Sequence, residues 1–187
     1  MARSNTCQTS STDLYASLGF CAGETSLPGI RKKVYFIQKS YIAKFPEING
    51  GAYTGSFTLV SGKFFKYIEV VVDNSKFTAA SQGNYPNKTF KQHLEMLHPI
   101  LDADFAAFQA KANNDDFIYI LQDADGKFKV LGCEQYRTDT TFSDDSGQQA
   151  TDSCGSTITA ECDAPTGLLE YSGDIMTGEE ENANDQE

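Results

Sequence analysis

The sequence predicts a mainly β fold with one short helix, and three observations lead there. The chain carries 13 Phe and 9 Tyr but no Trp. Leu, at 11, is well outnumbered by Val, Ile, Thr and Tyr together, at 41, residue types that suit a pleated, half-buried surface. Several segments alternate apolar and polar residues with period two, the pattern of strands with one wet face. Between them lie Gly, Asp, Asn and Ser clusters with turn chemistry. A chain of 187 residues is expected to form one domain with extra arms. It buries roughly 70% of its unfolded surface, so stability requires neither disulfide nor metal.

Residues 1–31 read as an extended arm, rich in Ser, Thr, Gly and Asn, with turn signals at Cys21-Ala22-Gly23-Glu24 and Leu27-Pro28-Gly29. A β domain is expected over 32–165 and an acidic tail over 166–187. Arg31, Lys32 and Lys33 lead into a short buried strand, Val34 to Ile37. The triplet is a candidate basic stacking face, although such a run commonly marks only the solvated start of a strand. Tyr53 to Val60 alternates, with Tyr53, Phe57 and Leu59 on one face, and reads as a half-exposed strand. Lys63 to Asn74 is apolar on both faces and reads as a central strand covered on each side. Lys76 to Gly83 is a weaker strand.

Asn87 to Pro99 is ambiguous. A strand puts Phe90, Leu94 and Met96 on one face, whereas a helix stripes Phe90, Leu94 and Leu97. The Lys, Gln, Glu, Leu and Met content favours helix. The next segment is clearer. Asp102 is a candidate N-cap, Asp104 suits the first turn of a helix, and Phe105, Phe108 and Ala112 lie at helical spacing, with Leu101 just before them and Asn113-Asn114 as terminators. This predicts a helix over about 102–113 that covers one face of a sheet.

Phe117 to Leu121 reads as a buried strand and Lys127 to Val130 as a strand open on one side. Between them, Gln122-Asp123-Ala124-Asp125-Gly126 is either part of a calcium loop or a hairpin tip. An EF-type loop needs a third ligand position before its glycine and a glutamate further on. Counted from Asp123, the glycine comes too early, so Asp123, Asp125 and Gly126 are assigned to a hairpin turn. Residues 134–155 form a long polar, acidic loop, a type that is commonly functional. Thr157 to Asp163 alternates, with Ile158, Ala160 and Cys162 inward, and is the last strand.

Few residues suggest chemistry. Cys7, Cys21, Cys133, Cys154 and Cys162 form no CxxC pair, and their odd number reads as free thiols. Their spacing fits no structural zinc pattern. His93 and His98 diverge on a strand or a helix and are poor partners for one metal. There is no phosphate-binding glycine loop, no GxSxG and no HExxH. Cys133 with His93 or His98 is an arithmetically possible nucleophile pair, but a cysteine is commonly a small buried hydrophobe. No enzyme activity, metal or cofactor is expected. The polar N-terminus and the lack of a long apolar run predict a cytoplasmic origin and no membrane partner.

Charge is divided unevenly. Residues 1–92 carry 11 Lys and Arg against 5 Asp and Glu, and the remainder 4 against 21, giving the overall −11. The plain reading is a basic face and a solvated acidic end; the functional one is stacking of like subunits, positive face on negative. The acidic balance argues against specific DNA binding.

Three stretches carry a resemblance: SQGNYPNKTFKQHLEMLHP (81–99), FAAFQAKANNDDFIYILQDADGKFKVLG (105–132) and GSTITAECDAP (155–165). PGIRKKVYFIQKS (28–40) adds a looser match. In this order they resemble the tail tube proteins of tailed bacteriophages. The resemblance implies a β-sandwich or open barrel of antiparallel strands with the helix on its flank, and makes 88–98 a strand despite its composition. It implies hexameric rings, sheets joined into one inner barrel, and rings stacked into a tube through the arms and the long loop. The partners implied are the chain itself, a tape-measure protein and other tail proteins, with DNA only in transit. The location implied is the virion, after assembly in the bacterial cytoplasm. Asp139, Asp144, Asp145, Asp152 and Glu161 are candidate assembly or lumen residues, since an acidic wall lets DNA slide. A tail terminator, hub or head–tail connector of the same fold is the near alternative. A monomeric β-barrel binding a small apolar ligand among Phe57, Tyr67 and Tyr119 is the distant one, and an enzyme using Cys133 or Cys154 a third.

Overall fold

The computed structural model describes residues 27–148 and 154–178. Most of the predicted N-terminal arm, Asp152 and the last nine residues, 179–187, lie outside them. In chain order the elements are β1 (Ile30–Gln38), β2 (Ile42–Lys44), β3 (Glu47–Asn49), β4 (Ala52–Thr54), β5 (Thr58–Leu59), β6 (Lys66–Glu69), β7 (Val71–Gln82), β8 (Thr89–His98), α1 (Ala103–Ala112), β9 (Phe117–Asp123), β10 (Phe128–Leu131), β11 (Thr138–Asp145), β12 (Gly155–Ala164) and β13 (Leu169–Tyr171). The fold is mainly β with one helix, as the composition predicts, and the sheets do not close into a barrel.

A seven-stranded sheet has the order β3-β4-β13-β10-β9-β1-β6, and a four-stranded sheet the order β11-β12-β8-β7. Pairing is antiparallel except between β13 and β4, which run parallel. The two sheets face each other across the main core, built from Val34, Tyr119 and Leu121 on one side and Leu94, Met96, Ile158 and Ala160 on the other. A second core lies on the opposite face of the large sheet, around Ile118, Ile120, Phe57, Phe65 and Tyr171. β9 therefore contributes alternate residues to both cores, which is why its sequence is apolar without a break.

Helix α1 starts where the cap chemistry predicts. Asp102 Oδ1 accepts the Phe105 N–H at 2.8 Å. The helix packs against both sheets rather than one. Phe108 meets Phe36 of β1 at 5.4 Å between ring centroids and Phe142 of β11 at 5.9 Å. Leu101, just before the helix, is exposed.

Two polar groups span the main core. The buried Gln92 side chain accepts the Gly132 N–H at 2.9 Å and donates to the Gly167 carbonyl at 3.0 Å. Tyr119 and Thr140 hydroxyls meet at 2.9 Å. Each fixes how the small sheet sits on the large one, because a buried polar group left unpaired costs more than a bond gains.

Several expected boundaries shift. Tyr53 to Val60 is not one strand: Gly55, at φ 91°, breaks it into β4 and β5. Tyr53 and Phe57 are nonetheless both buried. Lys63 to Asn74 is not central, since it divides between β6 and β7, each at the edge of its sheet. Its apolar residues face different cores, Phe65 one and Ile68 and Val70 the other. The 88–98 segment is strand β8 despite its helix-favouring composition, because Gln92, Leu94 and Met96 alternate into the core. The long loop expected over 134–155 contains strand β11. The sequence hid it because its inward residues are Thr138, Thr140 and Phe142 rather than a run of aliphatics. Part of the segment expected as a tail from residue 166 is packed onto the domain. Leu169 and Tyr171 are buried in β13, and the Phe65 N–H donates to the Met176 carbonyl at 2.8 Å.

Candidate assembly interface

The small sheet buries one face and leaves the other wet. Register brings Asp139, Glu161, His93 and Thr78 into one row across β11, β12, β8 and β7. The next row is Thr141, Thr159, Glu95 and Lys76, and on the other side Asp163 lies opposite Lys91. A chain of charges crosses the strands. Lys91 Nζ lies 2.6 Å from Glu161 Oε2, His93 Nδ1 lies 3.0 Å from Glu161 Oε1, and His93 Nε2 lies 3.7 Å from Glu95 Oε2. Lys76 Nζ closes the chain 2.7 Å from Glu95 Oε2. The Lys91 ammonium, and next the His93 ring, hold the Glu161 carboxyl below the usual range. The Lys76 ammonium chiefly does the same for Glu95. These groups stand in water, so each pair contributes little to stability. Their larger effect is to set the charge of the face, where Asp139, Asp145, Asp163, Glu95 and Glu161 outnumber Lys76 and Lys91.

Among the described residues the small sheet is open at both sides. β7, 12 residues long, and β11, 8 residues long, have no strand neighbour beyond β8 and β12 among the described residues. Unpaired edges of that length are templates for another strand. Their charges differ. β11 carries Asp139, Asp144 and Asp145, whereas β7 carries Lys76 and Asp73. Pairing β11 with β11 of a second copy opposes carboxylates, but pairing β11 with β7 does not.

The predicted site residues separate accordingly. Asp139, Asp145 and Glu161 share the wet face of the small sheet. Asp144 turns the other way, towards α1, where Gln109 Nε2 donates to its Oδ1 at 2.6 Å. Arg31, Lys32 and Lys33 are exposed on β1 and meet different neighbours. Lys32 pairs with Glu69 at 2.5 Å, Lys33 Nζ sits 4.2 Å from the Tyr67 ring centroid, and Arg31 lies beside the Gly126 turn. Alternation along the strand turns Lys32 to the opposite face from Lys33.

The DADG segment is a hairpin tip between β9 and β10. Asp123 Oδ1 accepts the Lys127 N–H at 2.8 Å, and Gly126 takes φ 92°. Asp125 does something the turn chemistry did not predict: its Oδ1 accepts the Leu27 N–H at 3.0 Å and clamps the incoming N-terminal segment to the tip.

The remaining candidates do not converge. Phe57 and Tyr119 lie in different cores, while Tyr67 is on edge strand β6, so they share no pocket. Cys133 is not beside either histidine. Its sulfur meets Cys162, His93 meets two glutamates, and His98 meets the Glu69 carbonyl at 2.8 Å. Cys133, Cys154 and Cys162 are free thiols. Among the described residues no group of three or more His, Cys, Asp or Glu is placed to hold a metal, and no helix is long and apolar enough to cross a membrane. Sequence reasoning missed one surface feature, a groove lined by Tyr67, Val70, Val72, Ile100 and Phe105. With Phe36 of β1, its lining comes from three separate segments, so no local pattern announces it. None of the family models, curated proteins or solved structures compared with this chain matches it.

Proposed function

We propose that this chain is a structural subunit that closes into rings by joining sheet edge to sheet edge, the rings stacking into a tube of the phage-tail type. The observation that carries the proposal is the small sheet: among the described residues it has two long open edges, one acidic and one balanced, with one apolar face buried and one acidic face wet. Because the edges differ, joining β11 of one copy to β7 of the next is head to tail, and head-to-tail contacts close into rings when the rotation permits. Closure leaves neither edge of the small sheet exposed. Six copies, the number drawn from the family resemblance, join about 24 strands. At about 4.8 Å per strand they form a backbone circle roughly 37 Å across before strand tilt widens it. The wet face then lines the channel with carboxylates, which repel phosphate and let DNA pass without sticking. A tape-measure protein and other tail proteins are the partners in this arrangement, and the work done is mechanical and electrostatic rather than catalytic.

Negative-stain electron microscopy of the purified, concentrated chain tests this directly. Hollow rings or tubes of uniform diameter are expected. Rings that never stack shift the reading to a terminator or connector. A chain that stays monomeric at high concentration, alone and with phage tail-tip components, removes it.

A further inference from the structure

Cys133 and Cys162 are 29 residues apart in sequence, yet their sulfurs lie 3.9 Å apart, both buried. Cys162 is fixed in β12, register-paired with Gln92 on one side and Thr138 on the other. Cys133 follows β10 at the start of an irregular stretch, 132–137, that crosses from the large sheet to the small one. The two sulfurs therefore face each other across the layers, one on a rigid strand and one on a connection that can adjust. A disulfide requires them to approach to about 2.05 Å. The fully buried Thr138 hydroxyl, which finds no conventional hydrogen-bond partner, is set beside the Cys162 sulfur.

We propose that Cys133 and Cys162 are a peroxide-sensitive thiol pair whose oxidation forms a disulfide joining the two sheets. Cys133 is the attacking sulfur. The Cys162 thiol and the backbone around Tyr136 and Gln135 stabilise its thiolate, so it ionises below the ordinary thiol range, while Cys162 is pushed up by its partner and by burial. Burial selects a small oxidant. The Cys133 thiolate attacks one peroxide oxygen, the O–O bond breaks, and hydroxide leaves, giving a sulfenic acid on Cys133. The Cys162 sulfur then attacks Cys133, the S–O bond breaks, and the second hydroxide leaves. Each sulfur loses one electron, peroxide gains two, and both thiol protons end in the two waters formed. The bond encloses the β11–β12 hairpin and ties down the base of edge strand β11. This inference does not depend on the assembly reading.

The test uses the full chain with Cys7→Ser, Cys21→Ser and Cys154→Ser, so that only this pair remains. After one equivalent of hydrogen peroxide, denaturation and alkylation, the intact mass should fall by two hydrogens with neither thiol alkylated, and a reductant should reverse the change. Peptide mapping should link Cys133 to Cys162 within one chain, and the same link should appear in the unsubstituted chain. The melting midpoint should rise by about 5–10 °C. Adding Cys162→Ser should stop the reaction at a sulfenic acid on Cys133, trapped by a dione. Two alkylated thiols after peroxide, a link between chains instead of within one, or direct over-oxidation of Cys133 would each overturn the proposal.

Discussion

Gln92 shows how much a single buried side chain settles. Its carboxamide joins Gly132, which follows β10, to the Gly167 carbonyl beyond β12, and is itself 2% exposed. Gln92→Leu keeps the volume but strands an N–H and a carbonyl in the core. A loss of roughly 2–3 kcal/mol is expected in chemical denaturation. Gly132 is constrained differently. At φ 108° it takes a conformation few side chains adopt, and a Cβ there would come within 2.6 Å of Ile118 Cδ1. Gly132→Ala should cost about 2 kcal/mol or more by the same assay, the strain adding to the crowding. At the surface the effects are smaller and depend on pH. Glu161 and Glu95 have carboxyl groups held below their ordinary range. They therefore stabilise the folded chain above the unfolded glutamate value of about 4.3 and cease to do so as pH falls through their lower folded values. The melting midpoint should drop on acidification through that window. Glu161→Gln should flatten part of the drop while changing stability near neutral pH by only about 0.5 kcal/mol.

At the scale of the element, β11 and β7 carry the functional argument, and backbone chemistry is the way to probe it. Successive residues of a strand turn their N–H groups to opposite edges. Ser143→Pro and Asp144→Pro, made separately near the exposed end of β11, thus remove different bonds. One breaks the pairing with β12, the other removes an N–H offered to a neighbouring copy. One variant should remain a stable monomer that no longer forms rings, seen by sedimentation and microscopy, while the other loses stability. If both assemble like the parent chain, β11 is not a joining edge. The register also explains why β11 was invisible in the sequence. Its buried row is Thr138, Thr140 and Phe142, and threonine alternation in a stretch rich in Asp and Ser looks like a loop. The same alternation in β12, with Ile158, Ala160 and Cys162, is legible because aliphatic residues mark the inner row.

For the whole molecule, the division between a basic first half and an acidic second half becomes a division between layers only in part. Lys76 and Lys91, from the first half, stand among the carboxylates of the small sheet. The wet face is acidic but cross-linked, which limits repulsion within one copy. Assembled rings should not retain duplex DNA in a filter-binding assay. Rings of Asp139→Lys with Glu161→Lys should retain it at low salt and release it as salt rises, by counterion release. Retention by the parent rings would show that this face does not line the passage.

The mainly β character, the capped helix, the DADG hairpin and the inward row of β12 were all legible in the sequence, because each depends on contacts within a few residues: an aspartate accepting from the third residue on, a glycine at positive φ, an alternation of period two. Local pattern also misled where composition opposed context, as in β8, whose helix-favouring residues extend because strands flank them on both sides. Only the tertiary structure decided which strands end up at an edge, that Asp144 parts from Asp139 and Asp145, that β13 returns to the large sheet, and that Cys133 meets Cys162. Those are pairings between distant segments. They depend on how two sheets twist and stack to fill one core, and no window of neighbouring residues contains that information.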